Sequence, residues 1–144
     1  MKKLILPALA LLCGALFLFM KAKSDAALNL APANISCNIN QNTCALNSVN
    51  SDINATLSIK PKPIKTMSET SFVFSGLSKL KAPSVRIYGL NMDMGVVNAA
   101  LLKNGAFYSA NIMLAACTQK VMTYRLDVLD DERVVASIDF NVFE

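Results

Sequence analysis

At 144 residues, the chain has room for one domain and a short N-terminal extension. Its formal charge is +4, yet setting aside Lys2, Lys3, Lys21, Lys23 and Asp25 at the start leaves ten basic and nine acidic residues. So neutral a remainder lacks the electrostatic footprint of a nucleic-acid binder. The chain has no histidine, which excludes Ser-His-Asp and Cys-His catalytic pairs, His-ligated zinc, a blue-copper His₂Cys centre and a C-x-x-C-H haem attachment. Acid–base chemistry would fall to carboxylates, lysines or tyrosines. No paired Asp/Glu arrangement suggests it, so a non-enzymatic protein is expected.

In chain order, Met1, Lys2 and Lys3 form a positive start, and Leu4 to Met20 runs without a charge. The length lies between that of a secretory h-region and a spanning helix. Residues 1–23 therefore read as a hydrophobic helix that is either a signal peptide or an uncleaved membrane anchor. Either way the rest is exported to the periplasmic side of a bacterial-type inner membrane. Cys13 follows Leu12 rather than the small residue expected before a lipidated cysteine, and reads as an apolar anchor residue. Residues 24–34 form a tether, and residues 35–144 the folded domain.

Cys37 and Cys44 flank a turn-rich Asn/Gln/Thr segment, which in an exported protein points to a local disulfide. A pair of soft-metal thiolates is the alternative. Asp52, Asn54 and Thr56 match the extended acceptor sequence of bacterial oligosaccharyltransferases, making Asn54 a candidate glycosylation site if its loop is exposed. Chance occurrence is the other reading.

From Asp52 onward the pattern is β. Ile53, Ala55, Leu57 and Ile59 alternate with polar neighbours until Lys60-Pro61-Lys62-Pro63 ends the run. Lys60, Lys62 and Lys65 read as a solvated edge guard, with an anionic-lipid contact as the alternative. Further strands are expected over 71–75, 85–88, 96–103, 106–116, 121–129 and 134–143, with a hairpin signal at Asn104-Gly105 and a charged turn at Asp130-Asp131-Glu132. Seven short strands without a long amphipathic helix argue a β-sandwich of antiparallel strands.

Five methionines lie beyond the first apolar run: Met67, Met92, Met94, Met113 and Met122. In an extended segment Met92 and Met94 share one side, with Asp93 opposite. Thioether and thiolate ligands select Cu(I), although methionine also fills gaps in cores. Cys117 and Met122 flank a Thr-Gln-Lys turn. A four-residue hairpin loop would set them directly opposite each other. A three-residue loop, pairing Leu114 with Tyr124 and Ile112 with Leu126, would set them on opposite faces unless a bulge intervenes. Cys117 is also the odd exported cysteine if Cys37 and Cys44 pair.

Pro61-x-Pro63-Ile64, Gly89-x-Asn91-Met92-Asp93-Met94-Gly95, Phe107-Tyr108, Cys117 and Met122-Thr-Tyr124 resemble the YtkA/FixH-like group of small exported immunoglobulin-like domains. The resemblance spans about residues 37–142 and includes the leading cysteines Cys37 and Cys44. It departs at Ala115-Ala116, where a proline is usual, and at Tyr124, where tryptophan is common. It implies an immunoglobulin-like β-sandwich at the periplasmic face, with an accessory role in copper handling or cytochrome oxidase assembly beside periplasmic copper chaperones. Met92, Met94, Cys117 and Met122 are then the candidate Cu(I) ligands. Two other functions stay in view: a metal-free structural or protein-interaction module, and a thiol oxidoreductase. The last is disfavoured by the absence of C-x-x-C.

Overall fold

A computed structural model describes residues 33–49 and 53–143. The expected N-terminal helix, nearly all of the tether and Asp52 lie outside the described residues. Ten strands fold here: β1 (Cys44–Ala45), β2 (Asn47–Ser48), β3 (Thr56–Lys60), β4 (Glu69–Ser75), β5 (Pro83–Gly89), β6 (Val96–Ala100), β7 (Leu102–Asn104), β8 (Phe107–Met113), β9 (Val121–Asp130) and β10 (Arg133–Phe143). They form two antiparallel sheets, ordered β1-β3-β4-β8-β7 and β2-β10-β9-β5-β6.

Alternation decides which residues enter the core, because successive side chains on a strand point to opposite faces. Leu57 and Ile59 of β3, Phe72 and Phe74 of β4, and Ala110 and Ile112 of β8 are buried from one sheet. Val85 and Ile87 of β5, Leu126 and Val128 of β9, and Ile138, Phe140 and Val142 of β10 are buried from the other. Phe72 and Phe140 come from different sheets and meet with ring centroids 6.2 Å apart. Tyr124 stacks on Phe140 at 5.8 Å. One hydrophobic core therefore joins the two sheets.

Seven expected strands become ten because the chain changes sheet at both lateral edges. The expected strand 96–103 divides at Leu101. Before it, β6 pairs with β5; after it, β7 pairs with β8. Leu101 is buried and donates its N–H to the Pro83 carbonyl at 3.0 Å. Leu46 does the same work at the other edge. It is buried between β1, paired with β3, and β2, paired with β10, and its N–H reaches the Ala55 carbonyl at 2.9 Å. Each edge of both sheets is thus made by a strand of at most five residues, a form that limits edge-to-edge association.

The expected hairpin between strands 106–116 and 121–129 does not form. β8 pairs with β4 and β7, whereas β9 pairs with β10 and β5, so residues 114–120 cross from one sheet to the other. Leu114 and Tyr124 are both buried, but as members of opposing layers. A strand with one apolar face satisfies its pattern equally by lying beside a similar strand or by facing it across a core. The two hairpins signalled by turn residues do form. Gly105, at φ 62°, opens the β7–β8 turn, and Asp131 and Glu132, at φ 47° and 68°, make the β9–β10 turn.

Candidate functional site

Four connections meet at one end of the two sheets. Residues 61–68 leave β3, residues 90–95 join β5 to β6, residues 114–120 join β8 to β9, and the loop between Cys37 and Cys44 bridges the layers. The last of these is held by one side chain. Asn40 accepts the Ile64 N–H through Oδ1 at 3.0 Å, next to β3, and donates Nδ2 to the Asn141 carbonyl at 2.9 Å, in β10. All five methionines of the described residues sit at this pole: Met67, Met92 and Met94 in its loops, Met113 at the end of β8 and Met122 at the start of β9.

The 90–95 loop is positioned by three local features. Leu90 continues the β5–β9 ladder, donating its N–H to the Thr123 carbonyl at 2.8 Å. The Asn91 side chain then substitutes for a backbone rung, donating to the Val121 carbonyl at 3.0 Å and accepting the Thr123 N–H at 3.1 Å. Finally the chain folds back so closely that the Met92 carbonyl lies against the Cα of Gly89, where any β-carbon would collide with it. The loop closes with Asp93 accepting the Gly95 N–H at 2.9 Å, Gly95 standing at φ 75°. Asp93 is exposed while Met92 and Met94 are half-buried against the core, the alternation expected although this segment is not a strand.

This geometry brings Met92 to Cys117. The Cys117 thiol points at the Met92 thioether with Sγ–Sδ 3.2 Å, across 25 positions of sequence. The Gln119 N–H also points at the Cys117 sulfur, at 3.5 Å. Cys117, within the 114–120 connection, is 9% exposed. Met122 lies deeper at 1% exposed, and its Cε comes within 3.3 Å of where a β-carbon on Gly89 would stand. Of the four candidate ligands, Met92 and Cys117 are therefore in sulfur–sulfur contact. Met122 packs beneath their loop, and Met94 lies on the same loop's core-facing side.

Cys37 and Cys44 form the expected disulfide, with Cα atoms 5.8 Å apart. Asn54 is exposed just before β3, as a glycan acceptor requires, while the Thr56 hydroxyl is hydrogen-bonded to that of Ser75 at 2.7 Å. Lys60, Lys62 and Lys65 are exposed, and Lys62 donates to the Gln41 carbonyl at 3.1 Å. A cleft of about 350 Å³ opens at this pole between the disulfide loop, Pro63, Ile64 and Phe143, away from the sulfur contact.

Below the sulfur site, the outward face of β5, β9 and β10 carries a paired charge network. Arg125 binds Asp139 through two bonds, Nε–Oδ1 2.7 Å and Nη2–Oδ2 2.8 Å, and the Asn34 N–H adds a third donor at 2.7 Å. Arg86 binds Asp127 at 2.7 Å and lies over the Tyr88 ring, 5.7 Å from its centroid. Hydrogen bonding to Asp139 holds the Arg125 guanidinium above its ordinary range. Burial, reinforced by the Asp127 carboxylate, pushes the Tyr88 phenol up. These opposite-charge pairs tie β5 to β9 and β9 to β10.

In the sequence Gly89 and Asn91 stand out only as members of the 89–95 motif, since their positioning roles depend on the register of β5 against β9. Among the described residues, no group of three or more histidine, cysteine or carboxylate side chains could hold a metal ion.

No family model matches the chain, and no curated protein matches it. Among solved structures, one described as "Crystal structure of Br derivative BhCBM56" is similar at a TM-score of 0.41 and 12% identity, covering 68% of this chain and 99% of that one.

Proposed function

We propose that the chain is a non-enzymatic accessory protein that binds Cu(I) at its methionine-rich pole. The observation that carries this reading is the 3.2 Å approach of the Cys117 thiol to the Met92 thioether, at the end of the sheets where the other methionines also lie. A thiol and a thioether suit a soft monovalent cation and disfavour magnesium or calcium, which take oxygen ligands. Cys117 as thiolate would contribute charge and affinity, and Met92 an exchangeable ligand, with Met94 and Met122 the remaining members of the set. Exchange with a partner's own sulfur ligands would release the ion.

The wider proposal follows the YtkA/FixH-like resemblance. It places an immunoglobulin-like sandwich at the periplasmic face of the inner membrane, tethered by residues 1–23 and serving copper chaperones or cytochrome oxidase assembly. A metal-free interaction module is the competing function, and the full burial of Met122 suits it. Titration of the reduced chain with Cu(I) under a competing chelator separates the two. Retention of one ion, lost in both Cys117→Ser and Met92→Leu, is expected. No retention, or equal retention by these variants, would leave the interaction module.

A further inference from the structure

Two methionines at the pole are not explained by packing. Met67 is 66% exposed and Met113 56%, whereas Met122 is 1%. Met67 also stands at φ 55°, a left-handed conformation that side chains other than glycine, asparagine and aspartate rarely adopt. Its backbone nevertheless lies beside β8, because its N–H donates to the Leu114 carbonyl at 2.8 Å, one residue beyond Met113. On the neighbouring strand Glu69 is the register partner of Met113, so the two side chains share the sheet's outward face. Two solvent-accessible thioethers and a carboxylate are thus carried by neighbouring backbone where residues 61–68 return onto β8.

We propose that Met67 and Met113, backed by the charge of Glu69, form a second, exposed site for a soft monovalent cation, which rests on the Cu(I) reading of this pole. A pair of thioethers with no thiolate binds more weakly than Cys117 with Met92 and exchanges faster. Its exposure suits capture from solution or from a partner, and the inner site suits retention. Both sites take the same ion because both offer soft sulfur ligands.

The test labels the methionine ε-methyl groups of the full chain with carbon-13 and titrates with Ag(I), a redox-stable substitute for Cu(I). The methyls of Met67 and Met113 should move together along one binding curve, after the Met92 methyl has saturated. Met67→Leu should weaken the Met113 response at least about tenfold, since the two ligands act as a chelate. Both positions are exposed, so leucine there leaves the fold intact, which a metal-free Met122 methyl resonance identical to wild type verifies. Ag(I) held by Cys117 and Met92 with no response at Met67 and Met113 overturns this inference alone. So does a Met113 response that is the same in Met67→Leu, which would mark two unrelated surface thioethers. Silence at every methionine removes the Cu(I) reading and this inference with it. In Cys117→Ser the tight phase should vanish while the Met67 and Met113 curve persists.

Discussion

The Met92 carbonyl rests against the Cα of Gly89, so the loop that carries Met92 to Cys117 depends on a position with no side chain. In Gly89→Ala the new methyl would meet that backbone oxygen and would also stand 3.3 Å from the Met122 Cε. Neither neighbour is the far end of a side chain free to swing into solvent. We expect a stability loss of about 1–3 kcal/mol, the usual range for overpacking, measured by urea denaturation. Cu(I) affinity should fall as well, because the loop must lift and take Met92 from Cys117. A variant that is destabilised yet binds Cu(I) as tightly as wild type would show that this close approach does not position the ligand.

Much of the layering was legible because burial on a strand is a local property. The alternation at Leu57 and Ile59, or at Leu126 and Val128, states which face is inward whatever the strand pairs with. What pairs with what is a different matter. Leu114 and Tyr124 carry the same apolar signal in a hairpin or across a core, so the sheet change over 114–120 left no mark in their pattern. Leu101 is a one-residue break in an otherwise continuous β run, and β1 and β2 have two residues each, too few for a period. The sulfur site shows the same division. The chemistry of Met92 and Cys117 was visible as residue types, but their meeting depends on Asn91 standing in for a rung of β9.

The Arg125–Asp139 pair is nearly withdrawn from water, with side chains 14% and 5% exposed. Removing the carboxylate in Asp139→Ala would take two charge-assisted bonds from the guanidinium and the acceptor from the Asn34 N–H. Breaking one half of a buried pair costs about 3–5 kcal/mol, whereas replacing both halves with apolar residues costs much less. Arg125→Met with Asp139→Leu should therefore be more stable than Asp139→Ala alone. A double-mutant cycle by urea denaturation measures the difference, and additive losses would mean that the pair is not coupled.

Tyr88 gives the fold an alkaline limit. Its phenol is raised above the ordinary 10.0, first by burial and then by the nearby Asp127 carboxylate. The folded state therefore holds this proton more tightly than the unfolded chain. The stabilisation is fully present below pH 10 and is lost as pH rises from there through the folded-state value. Stability measured across that window should fall in wild type with a steeper slope than in Tyr88→Phe. Equal slopes would assign the alkaline loss to other groups.

The disulfide's effect should be modest globally and larger at the pole. Cys37 and Cys44 are seven positions apart, and so short a closure contributes on the order of 2–3 kcal/mol by restricting the unfolded chain. Cys37→Ser with Cys44→Ser should lose about that much in urea and still fold, since the core strands do not depend on it. The same loop presents Asn40, whose side chain ties Ile64 beside one sheet to Asn141 in the other. Hydrogen exchange should therefore rise first at the Ile64 N–H, before the β9–β10 ladder loosens. Uniform acceleration across both sheets would instead mean that the covalent link supports the whole fold.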